Sequence, residues 1–334
     1  MKVGGREWNQ VVARLFGTSL EEVRVNGSTL NVSNHQYRIE HGVVLLDSEE
    51  VAHETVRGTA EDVRRSFSEE WKTYRHILPE HDAEFSAYFD LVDLESLQSA
   101  LVIDLGCGSG RWSAKLARYC QAIVLVDFSD AIFVARENMA DADNAIFFRG
   151  DVTNLPFVDS SVDLFFSLGV LHHLDQRCLP VARNLMRIGP RGLFYLYYAL
   201  DNRPWYFKPI LRGVTQVRLV LGRVESERAR RRISRLLAIG VYRPMVALGR
   251  IVERLGLNTA VPLFETYCGK SNSRIEQDAY DRFFTSIEQR VSRRDIQDAF
   301  PLTWRIAFSE SEPYWHFLVE RPMELDSLEH RLIK

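Results

Sequence analysis

The run from Leu101 to Asp127, LVIDLGCGSGRWSAKLARYCQAIVLVD, constrains this chain more than any other stretch. It opens on an apolar strand, Leu101-Val102-Ile103, with Leu105 beyond Asp104. Glycines follow at alternate positions, Gly106, Gly108 and Gly110. Trp112 to Tyr119 reads as an amphipathic helix, and Ala122 to Val126 as a second strand that ends on Asp127. Strand, glycine turn, helix, strand and acid make half of a nucleotide-binding βαβ unit. Glycine lets the backbone approach a ligand closely because no Cβ intervenes. Asp127, twenty-one residues past Gly106, stands at the tip of the second strand, where it can accept both hydroxyl protons of a ribose.

Two details narrow the ligand. The spacing is G-x-G-x-G, not the G-x-G-x-x-G of dinucleotide binders. Asp104 lies two residues before the turn, where a carboxylate repels a pyrophosphate and suits a cationic amino group. The pattern therefore favours a ligand with a ribose, an ammonium and a small carboxylate. S-adenosylmethionine (SAM) meets that description.

The segment Asp104-Leu-Gly-Cys-Gly-Ser-Gly110 resembles motif I of class I SAM-dependent methyltransferases. The run from Gly150 to Leu174 resembles the remainder of that signature, and the likeness covers roughly residues 100 to 200. It implies an α/β, Rossmann-like fold: a seven-stranded, mostly parallel sheet with helices on both faces. SAM as cofactor is implied with it. Asp104, Gly106, Cys107, Gly108 and Gly110 would hold the cofactor in the turn, and Asp127 its ribose. Phe128 would lie against adenine, Asp151 would accept from the adenine amino group, and Val152 would pack on the ring. Ser167 and Leu168 complete the cofactor set at the end of the fourth strand.

Methyl transfer from SAM is an in-line displacement that needs alignment and exclusion of water rather than a metal. An acceptor hydroxyl needs a general base. His172 and His173, on the loop after the fourth strand, are the candidates for it. No Asn-Pro-Pro-Tyr-like run follows that strand, which argues against amino methylation of DNA bases.

A length of 334 residues suggests about two domains, and 46% apolar with 26% charged residues is ordinary for a soluble globular protein. The four cysteines, Cys107, Cys120, Cys178 and Cys268, form no C-x-x-C pair and no metal spacing. No apolar leader or 18-residue apolar run is present, so the expected location is cytoplasmic, with peripheral contact at the inner membrane surface as an addition. The net charge of −3 is uneven: Arg203 to Arg254 carries ten net positive charges.

Four regions are expected. Residues 1–58 form a small β-rich N-terminal module: a short helix through Trp8, Val12 and Leu15, then hairpins about Asn26-Gly27 and His41-Gly42. Tyr37 to Leu46 resembles the end of small zinc-ribbon-like proteins that partner methyltransferases, although their cysteines are missing. Residues 59–200 form the cofactor-binding core with a lead-in helix through Val63, Phe67, Trp71 and Tyr74. Trp71 and Tyr74 are candidates to face the sulfonium and substrate. Residues 201–290 are a helical, basic insertion, a substrate lid opening with Trp205 and Tyr206 as candidate substrate contacts. Residues 291–334 close the core, with a capping box at Ser292 and Asp295 and two final strands.

The basic insertion admits an anion-recognising lid for a small-molecule, glycan or lipid-linked acceptor methylated at oxygen. It also admits a membrane-surface patch or an RNA-binding face, hence a tRNA methyltransferase. A non-catalytic SAM-fold subunit that binds a partner is the alternative from another class.

Overall fold

A computed structural model describes residues 2–46, 64, 67–69, 71, 73–77, 81–224, 226–257, 260–285, 287–310 and 314–322. Eleven strands form one sheet: β1 (Val23–Asn26), β2 (Thr29–Val32), β3 (His35–Glu40), β4 (Val43–Leu45), β5 (Leu101–Leu105), β6 (Ala122–Asp127), β7 (Ala145–Arg149), β8 (Leu164–Leu168), β9 (Arg191–Leu196), β10 (Arg305–Phe308) and β11 (Trp315–Glu320). Their order is β1-β2-β3-β4-β7-β6-β5-β8-β9-β11-β10. From β7 to β9 the neighbours are parallel, and β9, β11 and β10 pair antiparallel. These seven strands are the expected Rossmann-like core. Every residue of β5 and β6 is buried, as the continuous apolar runs require of parallel strands covered on both faces. Strand order reverses between β5 and β8, so their carboxyl ends form the crevice where open α/β sheets bind ligands.

The flanking helices are α1 (Arg6–Phe16), α2 (His81–Tyr88), α3 (Arg111–Leu116), α4 (Ala131–Asn138) and α5 (Cys178–Leu185). Two apolar cores lie on the two sides of the sheet, one around Ile103, Val124 and Phe148, the other around Val102, Ile123 and Phe147. The alternation follows from the two-residue period of strand side chains.

The N-terminal strands correct the expectation of a zinc-ribbon-like module. They pair antiparallel in succession, and β4 then joins β7 in parallel, Val43 opposite Phe147. Val43 and Leu45 enter one core while Trp8, Leu15, Leu30 and Val44 enter the other. The strands thus lengthen the central sheet. Among the described residues, no group of three or more His, Cys, Asp and Glu could hold a metal ion.

In the lead-in segment, residues 67–69, 71 and 73 are helical. Val63 and Ser66 lie outside the described residues, as does the 311–313 part of the expected last turn.

The insertion folds as α6 (Phe207–Leu221), α7 (Glu227–Leu237), α8 (Arg243–Glu253), α9 (Phe264–Tyr267) and α10 (Asn272–Phe284), with a π-helical turn, Ala238–Tyr242, joining α7 to α8. It has its own core: Tyr242, Val246, Phe264, Tyr267, Ile275, Tyr280, Phe283 and Phe284. Val214, Leu221, Ile233 and Leu237 of the expected apolar stripes pack on it, whereas Ile210, Val217, Leu236, Val241 and Leu248 face solvent. The closing helix α11 (Arg293–Ala299) begins at the expected capping box, Ser292 accepting from the Asp295 N–H and Asp295 accepting from the Ser292 N–H.

Candidate active site

The turn after β5 needs its glycines. Gly106, Gly108 and Gly110 have φ of +85°, +53° and +74°, the left-handed region that L side chains avoid. A Cβ on Gly106 would lie 2.4 Å from Val170, and one on Gly108 would lie 2.7 Å from the Trp71 ring. The spacing of alternate glycines thus encodes alternate left-handed residues as well as close approach.

Two acids flank the turn. The buried Asp127 accepts from the Gly108 N–H at 2.9 Å, the Ser129 N–H at 2.9 Å and the Ser129 hydroxyl at 2.7 Å. Burial pushes its carboxyl above the ordinary range, against the pull of these hydrogen bonds. Asp104 accepts from the Ser113 hydroxyl at 2.6 Å. Burial, reinforced by the neighbouring Asp127 charge, holds its pKa up at about 8 in spite of the Ser113 bond. The buried Cys107 thiol is pushed well up by burial first, then by the two acids, so it stays protonated.

These residues suit the sugar and amine of SAM. The three glycines let Val170, Trp71 and Ala135 pack directly on the turn backbone, and the acids stand on adjacent strand tips, Asp104 in register with Leu125 two residues short of Asp127. Phe128 follows, half-buried. Trp71 covers Gly108, with the Arg111 guanidinium 5.1 Å from its ring centre and 4.7 Å from that of Trp112. The lead-in residue expected at the substrate therefore sits on the cofactor turn. Tyr74 lies elsewhere, packed on the insertion core with its ring 6.4 Å from that of Tyr280.

Other expected contacts are committed locally. Asp151 Oδ1 accepts from the Thr153 N–H at 2.7 Å and its hydroxyl at 2.8 Å, the turn-capping role common for Asp. Val152 is buried in the core. The Ser167 hydroxyl, fully buried, donates to the Leu105 carbonyl at 2.9 Å and so locks β8 to β5. Leu168 is half-buried beside it. Trp205, expected at the substrate, is 79% exposed, and the Tyr206 hydroxyl donates to the Ala260 carbonyl at 2.7 Å. Trp205 therefore presents its ring to solvent and Tyr206 braces the insertion.

His172 and His173 are both buried on the loop leaving β8. His173 Nδ1 lies 2.8 Å from the Ile287 carbonyl, which can only accept, so Nδ1 carries a proton and the exchangeable position is Nε2. Asp281 Oδ1 is 3.8 Å from that Nε2. His172 stacks on Tyr197, ring centres 4.0 Å apart. Burial, helped by the charges of His173 and Arg290, drops its pKa well below the ordinary histidine value and keeps it neutral. Sequence reasoning missed Tyr197 and Asp281. Tyr197 could have been found from its place at the carboxyl end of the fifth core strand; Asp281 carries no local signal.

The profile of the family described as "Methyltransferase domain" matches residues 102–189. The trans-aconitate 2-methyltransferase of Deinococcus radiodurans is 36% identical over 95 residues, 28% of this chain and 36% of that protein. Phosphoethanolamine N-methyltransferase 3 of Arabidopsis thaliana is 31% identical over 101 residues, 29% of this chain and 21% of that protein. A solved SAM-dependent methyltransferase from Aquifex aeolicus superposes with a TM-score of 0.34 at 18% identity, over 43% of this chain and 86% of that one. The chain spans less than half the length of the curated relatives it matches. The glycine turn, its two acids and the matched profile define a class I SAM-dependent methyltransferase domain. SAM is the cofactor of that domain.

The raised pKa of Asp104 gives a first prediction. With a value of about 8 the free protein holds most of this carboxyl protonated at pH 7. A cation brought near it lowers the value and expels the proton. SAM binding at pH 7 should therefore release close to one proton, read by calorimetry in two buffers of different ionisation enthalpy. Proton uptake, or no buffer dependence, would show that Asp104 does not face the ammonium.

Proposed function

We propose that the chain is a SAM-dependent methyltransferase that methylates a small acceptor at oxygen. The carrying observation is the turn itself: three left-handed glycines pinned by Asp127, inside the matched domain. When bound, SAM supplies a methyl group already activated by its sulfonium. Asp104 and Asp127 would hold the amine and the ribose, and the turn would give the backbone close approach. Trp71 would cover the site and exclude water.

Proton removal falls to His173. Its tautomer presents Nε2 as the acceptor, and Asp281 stands where it would stabilise the imidazolium that forms. His172 stays neutral and shapes the wall with Tyr197. A small acceptor is supported by the relatives named above, whose names specify trans-aconitate and phosphoethanolamine.

Titration of the intact protein with SAM and with its demethylated product is the first test. The second is transfer from methyl-labelled SAM into small molecules and lipids of a cell extract. Failure to bind either cofactor form defeats the reading. Binding without transfer into an extract that contains the natural acceptor favours the non-catalytic, partner-binding alternative.

A lipid-linked acceptor presented at an anionic membrane surface is the finer reading. Among the described residues, twelve of the fifteen exposed large apolar side chains lie between Trp205 and Leu257. On and just past α8, Leu248, Ile251 and Leu255 recur at three and four, one helical face. Arginines interleave with them, Arg228, Arg232, Arg235, Arg250 and Arg254 among them. Apolar insertion with a basic surround is what anionic bilayers bind, at about 1 kcal/mol per arginine near the surface. An RNA face would instead pair its arginines with stacking aromatics, and Trp205 is the one aromatic among these exposed residues. Vesicles containing phosphatidylserine should bind the protein and purely zwitterionic vesicles should not. Changing Leu248, Ile251 and Leu255 together to serine should lower partitioning at least tenfold while SAM binding persists. Equal partitioning by both proteins would refute the membrane reading, and steeply salt-dependent RNA binding would favour the tRNA alternative.

A further inference from the structure

The loop that leaves β8 carries both candidate bases and has little regular structure to hold it. Its one ordered piece before α5 is the short helical turn Leu171–His173. An irregular backbone has carbonyls that must find partners elsewhere. Those of His172, Leu174 and Gln176 all find Gln289. The Gln289 N–H donates to the His172 carbonyl at 2.8 Å. Its side-chain amide donates to the Leu174 and Gln176 carbonyls, each at 2.7 Å. The amide oxygen accepts from the Cys178 N–H at 3.0 Å, one of the donors left open at the start of α5. A carbonyl only accepts and an N–H only donates, so these partners fix which way round the amide sits.

Gln289 is itself held from both sides. It lies just past α10, where the chain leaves the insertion. Before it, the Glu288 carboxylate pairs with Arg218 of α6 at 3.1 Å and with Arg290 at 2.6 Å. After it, the Val291 N–H donates to the Tyr197 carbonyl at 3.0 Å and the Ala199 N–H to the Val291 carbonyl at 2.8 Å, alongside the chain that continues from β9. Two residues earlier, the Ile287 carbonyl accepts from His173 Nδ1 at 2.8 Å. Residues 287–291 thus form a rail between the loop after β8 and the end of β9. Ile287 turns the His173 ring, and Gln289 fixes the backbone that carries it.

Only an amide meets the three demands on this side chain together. A carboxylate cannot donate to two carbonyls, and a lysine or arginine cannot accept from the Cys178 N–H. Gln289 is half-buried, so water could satisfy the same carbonyls. Water could not hold them in one arrangement.

We infer that Gln289 is a positioning residue for proton removal: it sets the loop after β8 so that His173 presents Nε2 to the acceptor. This assignment rests on the reading of His173 as the base. It makes the exit of the insertion part of the chemistry, since a reacting group displaced by about 1 Å can cost about a hundredfold in rate.

The test uses the full chain grown with isotope-labelled histidine, so that NMR reports each imidazole nitrogen; the His173 signals are those missing from His173→Gln. In the wild type, His173 should keep a proton on Nδ1 throughout. Gln289→Met keeps the length of the side chain and removes its three hydrogen bonds. There a large share of the molecules should lose the Nδ1 proton, because the bond to Ile287 that selects it is no longer held. Transfer from methyl-labelled SAM into the small molecules of a cell extract should fall at least tenfold, with SAM affinity unchanged. Gln289→Glu keeps the shape and the bond from Cys178 but not the two donors, and should show both losses. Asn144→Leu is the structural control. Its amide also donates to two carbonyls, Ala117 at 2.7 Å and Cys120 at 2.9 Å, but at the amino ends of β6 and β7. It should lower the melting temperature as Gln289→Met does, yet leave the His173 signal and the transfer as in the wild type. An Nδ1 proton kept in both Gln289 variants overturns the assignment. So does its loss with transfer unchanged, or an equal loss in Asn144→Leu. If Gln289→Met does not fold, Gln289→Glu decides alone. A wild type that binds no SAM overturns the methyltransferase reading instead, and is told apart because the NMR signal is measured without cofactor.

Discussion

Asp127→Ala should both loosen the glycine turn and weaken SAM binding by about ten- to a hundredfold. The size follows from what the carboxylate does. It accepts from two backbone N–H groups, those of Gly108 and Ser129, and from the Ser129 hydroxyl. Alanine strands the two buried backbone donors, at about 1–3 kcal/mol each. It would also remove the acceptor proposed for the ribose, a hydrogen bond to a charged group worth about 1.5–3 kcal/mol. The first cost appears as a lower unfolding free energy without ligand, the second as weaker calorimetric binding. Asp127→Asn separates them further: its amide oxygen can still accept from Gly108 or Ser129, so stability should largely return while ribose recognition stays impaired. If Asp127→Ala bound SAM like the wild type, the tip of β6 would not be the ribose site, and the assignment built on it would fall.

The parts that were legible in the sequence are those whose signal is short-range. The unit from β5 to Asp127 could be read because glycine spacing reports backbone conformation directly, and all three glycines are left-handed. The hairpins about Asn26-Gly27 and His41-Gly42 were legible for the same reason, with Gly27, His41 and Gly42 all at positive φ. Their attachment was not. The pairing of β4 with β7 joins residues about a hundred positions apart, and Val43-Val44-Leu45 says only that both faces are covered. The insertion shows the same division. Its periodicity specified helices, but not which half of each apolar stripe would be buried, so Leu236 and Leu248 turned outward. Asp151 was expected at the adenine amino group, and in the structure its Oδ1 accepts from the N–H and hydroxyl of Thr153 in its own turn.

Glu84 supplies the other large effect, because it fastens the insertion to the core. This buried carboxylate of α2 accepts from Lys270 at 2.8 Å and from Arg274 of α10 at 3.4 Å. Burial alone would raise its pKa, yet the charges of Arg274 and Lys270 prevail and hold it down at about 2. A folded-state value below the ordinary 4.5 means stabilisation that is present above pH 4.5 and is lost as pH falls toward 2. The difference corresponds to on the order of 3 kcal/mol. Glu84→Ala leaves the buried Arg274 with Asp278 alone, and breaking a buried pair from one side costs about 3–5 kcal/mol. Urea melts at pH 7 should show that loss. Between pH 4.5 and 2 the wild-type stability should fall more steeply than that of Glu84→Gln, and the two curves should converge below pH 2. Parallel curves would mean that the carboxylate is solvated and that the contact between α2 and α10 contributes little. The same variant bears on function. Glu84 positions α10, and α10 carries Asp281. Glu84→Gln should therefore slow the proton removal proposed for His173, which Asp281 faces, while the turn at Gly108, tied to Asp127, keeps its affinity for SAM.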